Sequence, residues 1–248
     1  MDAEYANTYR QLYQHHWWWQ SRRTYILTLL RRWQAQDGDT NPRQILDVGC
    51  GDGLFFPDLI QFGEVSGIEA DDRIVDPNGT FSDQIHVGLF DDSFQTDQQF
   101  DWIVMLDVLE HIPDAITALK KAAQLLKPTG RMLLTVPAFN LLWTKHDDYN
   151  HHVTRYTKSL MTKQATEAGF QIDNQHYLFH WTFPAKLLVR LKERFSKQEP
   201  GPATLPATVP NKMLKMLCRF EQAIFTPLRP PFGSSLVVSL SKHSITGS

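Results

Sequence analysis

Ile45-Leu46-Asp47-Val48-Gly49-Cys50-Gly51-Asp52-Gly53 is the stretch on which the reading of this chain turns. A short apolar run passes into alternating glycines. That is the pattern of a buried parallel strand that ends in a tight turn and opens a helix. Glycine tolerates positive φ and has no Cβ, so a ligand can lie against bare backbone at such a turn. The pattern predicts a helix over about 54–61, with its free N–H groups aimed at the same spot. Asp47 stands just before the turn, where it could meet a cationic group. Further on, Glu69 ends a second strand, Val65-Ser66-Gly67-Ile68. A carboxylate there can accept two hydrogen bonds from ribose hydroxyls.

Two ligand classes fit a strand, a glycine turn and a distant acid. A dinucleotide site uses G-x-G-x-x-G, whose third glycine serves helix packing near a pyrophosphate. Here the turn is Gly-Cys-Gly-Asp-Gly, and Asp52 at its mouth would repel a pyrophosphate. A ligand bearing a sulfonium and an ammonium meets no such objection. Two later segments follow in order. The first is Phe100 to Ile112, with a buried strand over Trp102 to Leu106 and then Asp107-Val108-Leu109-Glu110-His111. The second is Leu125-Leu126-Lys127-Pro128-Thr129-Gly130, followed by the strand Arg131 to Pro137.

With the glycine turn, these segments resemble class I S-adenosylmethionine-dependent methyltransferases over about residues 40–180 and the last strand. His16-Trp17-Trp18 with Arg22-Arg23, and His146-Asp147 with His152-Val153-Thr154-Arg155-Tyr156-Thr157, are similar to a subgroup of that family. The resemblance implies a doubly wound α/β sheet of seven strands in the order 3-2-1-4-5-7-6, strand 7 antiparallel. It implies S-adenosylmethionine as cofactor and S-adenosylhomocysteine as product. Asp47, Gly49, Cys50, Gly51 and Gly53 would hold the methionine part. Glu69, with Ala70 and Asp71 after it, would hold the ribose. Leu106, Asp107 and Val108 would close the methionine side. The family places an acid near the adenine where this chain has Leu89, so Asp91 or backbone groups would serve there, and Phe90 could pack on the adenine face. Other readings are a nicotinamide-dependent oxidoreductase and a non-catalytic module that binds S-adenosylmethionine.

Composition sets the bounds. The chain has 248 residues, 42% hydrophobic and 21% charged, with a net charge of −2. That suits one α/β domain with additions and advertises no field for nucleic acid. Two cysteines, Cys50 and Cys218, make no disulfide framework and point to a reducing, cytoplasmic setting. No apolar run is long enough to span a bilayer.

The remaining segments leave alternatives open. Residues 4–36 carry helical periodicity, with Trp19, Ile26, Leu30 and Trp33 on one face and Arg22, Arg23, Arg31 and Arg32 beside it. This segment, part of an N-terminal piece over 1–40, either packs on the sheet or lids the substrate mouth, with Trp18 as a contact. The core spans 41–180. Ile85 to Phe90 reads as a third strand. Ala115 to Leu126 reads as a helix with Ile116, Leu119, Ala123 and Leu126 inward and Lys120, Lys121 and Lys127 outside or near its end. The run from Trp143 to Tyr156 is a polar loop, a substrate-facing loop or a metal site. The spacing of His146, His151 and His152 matches no zinc pattern, so no metal is expected. In the substrate reading His151 or His152 is the general base, His111 the second candidate, and Arg155 an anion clamp. Trp143, His146 and Tyr156 complete that loop. Residues 159–168 read as a helix and 170–179 as a strand.

An insertion over 181–232 follows. Phe183 to Phe195 reads as a basic amphipathic helix with Leu187, Leu188, Leu191 and Phe195 on one face and Lys186, Arg190, Lys192 and Arg194 around the rest. It packs on its own domain or lies on an anionic membrane. Residues 199–210 are proline-rich and read as a linker. A second helix, Met213 to Phe225, would turn Met213, Leu217, Phe220 and Ile224 inward. Residues 233–248 supply the final strand and tail. Partners expected are a small or lipid-like acceptor and, through 183–196, a membrane surface, with no nucleic acid.

Overall fold

The structure, a computed structural model, describes residues 3–38, 41–193, 195 and 203–242. The chain divides into two compact units, Met1–Leu89 with Ala203–Phe220, and Phe90–Pro202 with Glu221–Ser248.

The first unit opens with α1 (Ala3–His15) and α2 (Trp17–Asp37), where one helix over 4–36 was expected. The break is His16. Its backbone is extended, and its Nδ1 accepts the Trp18 N–H at 3.1 Å, capping α2. Gly38 ends α2 at φ 63. Ile26, Leu30 and Trp33 are buried as their spacing predicts, joined by Tyr25 and Leu29, while Trp19 is half-buried. β1 (Arg43–Val48) runs parallel to β2 (Gly63–Glu69), and β2 runs parallel to β3 (Ile85–Val87). Between β1 and β2, α3 covers only Phe56–Leu59, not 54–61. The turn uses the residues before it, with Gly53 N–H donating to Cys50 O and Phe56 N–H to Gly53 O. β3 ends at Val87 and not at Phe90, because Val87 pairs with Glu69, the last residue of β2.

The second unit holds β4 (Phe100–Leu106), α4 (Ala115–Leu125), β5 (Leu126–Pro137), α5 (Lys145–Tyr149), α6 (Lys158–Glu167), β6 (Phe170–Leu178) and α7 (Thr182–Glu193). Asp114 caps α4 by accepting the Thr117 N–H at 3.1 Å. The buried face of α4 is Ala115, Ala118, Leu119, Ala122 and Leu125, one residue round from the predicted stripe, and Lys121 is buried with it. The long helix α8 (Thr208–Leu228) precedes β7 (Ser235–Lys242).

β7 lies antiparallel between β5 and β6, and the sheet order is β3-β2-β1-β4-β5-β7-β6, as the resemblance implies. β4 and residues 132–137 of β5 are buried almost throughout, which is why they read as continuous apolar runs; β7 is buried over 235–240 although its sequence alternates weakly.

Of the two amphipathic helices, α7 packs on its own unit, one of its two expected readings, and α8 departs from expectation. In α7, Lys186 is half-buried and Arg190 donates to the carbonyls of Asn140 and Leu141, while Leu188, Val189 and Leu191 face solvent. Its cations therefore turn inward more than a membrane-facing helix requires. Arg194 and residues 199–202 lie outside the described residues. In α8, Met213, Leu217, Phe220 and Ile224 point outward, not inward. The side that packs down carries Asn211, whose side chain accepts from Trp17 N–H at 2.8 Å and donates to His15 O at 2.7 Å, then buried Cys218 and buried Glu221. In the second unit, Glu221 accepts from His180 Nδ1 at 2.8 Å, both residues being buried. Turned the other way, the helix would leave the backbone N–H and Nδ1 of buried His180 without the Glu221 carboxylate.

Candidate active site

In the first unit, Gly49, Gly51 and Gly53 take φ of 71, 56 and 70, the left-handed region that glycine enters without steric cost. A Cβ on Gly51 would meet only Ile74 at 3.7 Å, so the turn presents open backbone. Glu69 is buried, and both its carboxylate oxygens are fixed by main chain. Oε2 accepts the Gly51 N–H at 2.8 Å and Oε1 accepts the Asp71 N–H at 3.0 Å. Each oxygen keeps a lone pair for a second donor. The carboxylate is thus held in place beside the glycine turn. With α3 only one turn long, that turn and the strand ends must make the seat, not a helix terminus.

Asp47 is buried, and burial first, with the nearby Glu69 carboxylate second, pushes its pKa up to about 8. Two acids in one low-dielectric corner favour a cation between them. Cys50 packs on the strand behind: a Cβ on Gly67 would sit 2.4 Å from its Sγ. Burial, with Asp47 and Glu69, raises the thiol well above its ordinary range, so Cys50 fills space and is no nucleophile. Asp52 is paired with Arg10 and accepts the Asp76 N–H at 3.1 Å. A cleft of about 500 Å³ is lined by Arg10, Tyr13, Asp52, Gly53, Asp58 and Phe81; neither Asp47 nor Glu69 lines it. Ala70 and Leu89 are exposed and Asp71 is half-buried, its carboxylate ion-paired with Arg73. Trp18 is half-buried under the Arg22 guanidinium at 4.8 Å.

The Asp47 environment predicts a proton-linked affinity. In the free protein Asp47 is protonated below about pH 8, whereas a cationic ligand favours the ionised form. Binding at pH 7 should therefore release a proton, and affinity should rise about tenfold per pH unit up to that value and then level off. Calorimetry with S-adenosylhomocysteine, which keeps the ammonium, measures this in buffers of different ionisation enthalpy. No proton release and a flat profile would exclude Asp47 as the cation's partner.

The second unit carries Phe90, buried with its ring 6.2 Å from Phe94, and Leu106, Asp107 and Val108, all half-buried after β4. Asp107 has φ 57, a strained value for a residue with a Cβ, and its N–H donates to Thr135 O at 2.9 Å. Beyond β5, Thr144 and Asp147 form a capping box that starts α5. Asp147 is fully buried and is the hub of this region. It accepts from Arg155 Nε at 2.8 Å and Nη2 at 3.0 Å, and from His152 Nδ1 at 2.8 Å. Burial alone would raise its pKa, but the His152 and Arg155 hydrogen bonds hold it far below the ordinary carboxylate range.

These contacts sort the expected loop residues. His152 is half-buried, with Nδ1 on Asp147 and its ring against His111 at 4.7 Å between centroids. His111 is exposed at one edge, and desolvation, with His152, lowers its pKa to about 4. His151 is exposed at φ 57 in the turn after α5, and His146 is exposed on α5. Trp143 is half-buried and donates Nε1–H to Asp148 at 2.8 Å. Arg155, expected as an anion clamp, is 1% exposed, and its Nη1 donates to Ala138 O at 3.0 Å. Its guanidinium is committed to protein groups and offers nothing to a substrate. Tyr156 is wholly buried, with its hydroxyl donating to Leu109 O. Among the described residues, Glu110, His111 and His152 each place one possible ligand atom within 4.8 Å of the others, a group able to hold a divalent cation.

Asp147 was missed in the sequence. Its signal was Thr-x-x-Asp before a short helix and an acid five residues ahead of His152. Burial, with Arg155, lowers the Lys186 pKa to about 8.

A family model described as a methyltransferase domain matches residues 15–175. The ubiquinone biosynthesis O-methyltransferase of Coxiella burnetii is 29% identical over 103 residues, 38% of this chain and 43% of that protein. That of Alkalilimnicola ehrlichii is 30% identical over 106 residues, 40% of this chain and 43% of that one. The chain thus matches less than half the length of these curated relatives. Among solved structures, a Haloferax volcanii methyltransferase in complex with an activator superposes with a TM-score of 0.60 at 16% identity, covering 98% of this chain and 97% of that one. A magnesium protoporphyrin IX methyltransferase from Synechocystis, with S-adenosylhomocysteine bound, gives 0.58 at 14% identity, covering 98% and 96%. At these identities the likeness is one of fold.

Proposed function

This chain belongs to the methyltransferase-domain family, and from that membership we propose that it methylates an oxygen of a small-molecule acceptor with S-adenosylmethionine. The observation that carries the reading is the Glu69 carboxylate, fixed by two backbone N–H groups beside three left-handed glycines. That corner suits a nucleoside that is also a cationic amino acid. Asp47 answers the ammonium, Glu69 the ribose hydroxyls, and Gly51 leaves room for close approach. Leu106, Asp107, Val108 and Phe90 are our candidates for the remaining cofactor contacts. A pyrophosphate would meet the fixed Glu69 carboxylate beside the turn, which argues against the nicotinamide alternative.

The bound cofactor supplies a methyl group already activated on a sulfonium. The protein need furnish no nucleophile; it must align acceptor and methyl and exclude water, positioning that can be worth roughly 7–11 kcal/mol. An acceptor hydroxyl also has a proton to lose. We assign that proton to His152 Nε2. Asp147 receives the Nδ1–H, which fixes the tautomer with the lone pair on Nε2, and the buried carboxylate stabilises the imidazolium that forms. His111 stays neutral and abuts the His152 ring, and His151 is the outer alternative. In the second unit, Trp143 and His146 are candidates for the acceptor's walls. Their aromatic character suits an apolar, lipid-like acceptor. Arg155 and Tyr156 serve this arrangement from within by holding Asp147 and the backbone of the Glu110 segment.

Titration with S-adenosylhomocysteine tests the cofactor half. Glu69→Ala should weaken binding by about tenfold to hundredfold, the loss of hydrogen bonds to a charged acceptor. Nicotinamide dinucleotides should not bind. Equal affinity of wild type and variant, or no uptake of the nucleoside, would overturn the assignment.

A further inference from the structure

The outer face of α8 is built the wrong way round for a helix packed on its own domain. From Val209 onward, Met213, Met216, Leu217, Phe220, Ile224 and Leu228 are exposed, from 38% to 69%. They recur every three or four residues and so form one stripe along all 21 residues of the helix, about 32 Å at 1.5 Å per residue. The residues that pack down are Asn211, Cys218 and Glu221, with Leu214 and Phe225 half-buried beside them. Burial of Glu221 against His180 and of Asn211 against the α1–α2 junction fixes which way the helix faces. The exposure is therefore imposed by specific polar anchors and is not an accident of loose packing.

Charge says what covers the stripe. Lys212 and Arg219 are exposed on one flank, Lys215 is half-buried beyond them, and the sole acid of the helix, Glu221, is buried. A second copy of this helix would bring the same cations and no exposed acid to answer them. An anionic lipid surface supplies both an apolar layer for the stripe and phosphates for the flank. Methionine, leucine and phenylalanine on a single convex cylinder also suit a fluid layer, which needs no matching shape. Among the described residues, no helix is long and apolar enough to cross a membrane, so contact of this kind lies at the surface. We propose that α8 docks the protein on an anionic membrane surface through its Met213–Phe220 stripe and its Lys212–Arg219 flank. A docked enzyme would meet an apolar acceptor where such molecules dissolve. The docking itself stands without the methyl-transfer reading, because it rests on the helix alone.

Pelleting with sucrose-loaded vesicles tests it. The full chain should bind vesicles of mixed phosphatidylglycerol and phosphatidylcholine and bind phosphatidylcholine alone much less. Met213→Glu/Leu217→Glu/Phe220→Glu changes only exposed positions and should lower partitioning by about tenfold or more. Lys212→Glu/Arg219→Glu should bring binding to anionic vesicles down to the phosphatidylcholine level; it decides the matter if the triple variant fails a circular-dichroism check of folding. No binding to anionic vesicles would overturn the proposal. So would binding that neither variant changes. A wild-type dimer in sedimentation velocity that the triple variant converts to monomer would give the stripe to a second copy and also overturn it.

Discussion

Replacing His152 with Asn should lower kcat by about 10²–10⁴-fold and leave S-adenosylhomocysteine affinity unchanged, the range expected for loss of a general base. Asparagine can still place an amide N–H where Nδ1–H meets Asp147, so the buried carboxylate keeps its donor. What disappears is Nε2. A purely structural role for His152 would lower stability and spare kcat in the molecules that remain folded. A chelator adds a second axis. If Glu110, His111 and His152 hold a catalytic cation, EDTA should abolish the wild-type rate and the metal should restore it; a rate unmoved by EDTA supports the proton-transfer role. Retention of wild-type kcat by His152→Asn removes His152 from catalysis.

Arg155→Met should destabilise the protein by about 3–5 kcal/mol, because it takes from the buried Asp147 carboxylate its permanent countercharge and leaves it only the His152 and Thr144 donors. The carboxylate is fully buried, and Arg155 supplies two of its hydrogen bonds. For a chain of this size that corresponds to a fall of roughly 6–20 °C in Tm. Methionine keeps most of the side-chain volume, so cavity formation contributes little. The double variant Asp147→Asn/Arg155→Met should recover part of the loss, since the charge left unpaired in the single variant is gone. A loss near zero for Arg155→Met would return Arg155 to the role of an exposed anion clamp, which its burial contradicts. The two predictions are linked through Asp147: one removes the group that Asp147 orients, the other a group that holds Asp147 in place.

The chain by itself determined the glycine corner, the acid at the end of β2, the order of strands and helices, and the last strand. Those features rest on local rules. A strand buried on both faces needs continuous apolar residues, a turn at positive φ needs glycine, and both leave marks within a few neighbouring positions. Tertiary structure decided which groups in the Trp143–Tyr156 run face inward. The run is dense in proton carriers, and from the sequence Arg155 and His152 are equally eligible to meet a substrate. Only the fold places Asp147 between them, consuming the arginine and orienting the histidine. It also decided the direction of α8. Helical periodicity locates an apolar stripe but carries no sign for inside or outside. Buried polar partners such as His180 for Glu221 supply that sign, and they come from parts of the chain that no local pattern connects.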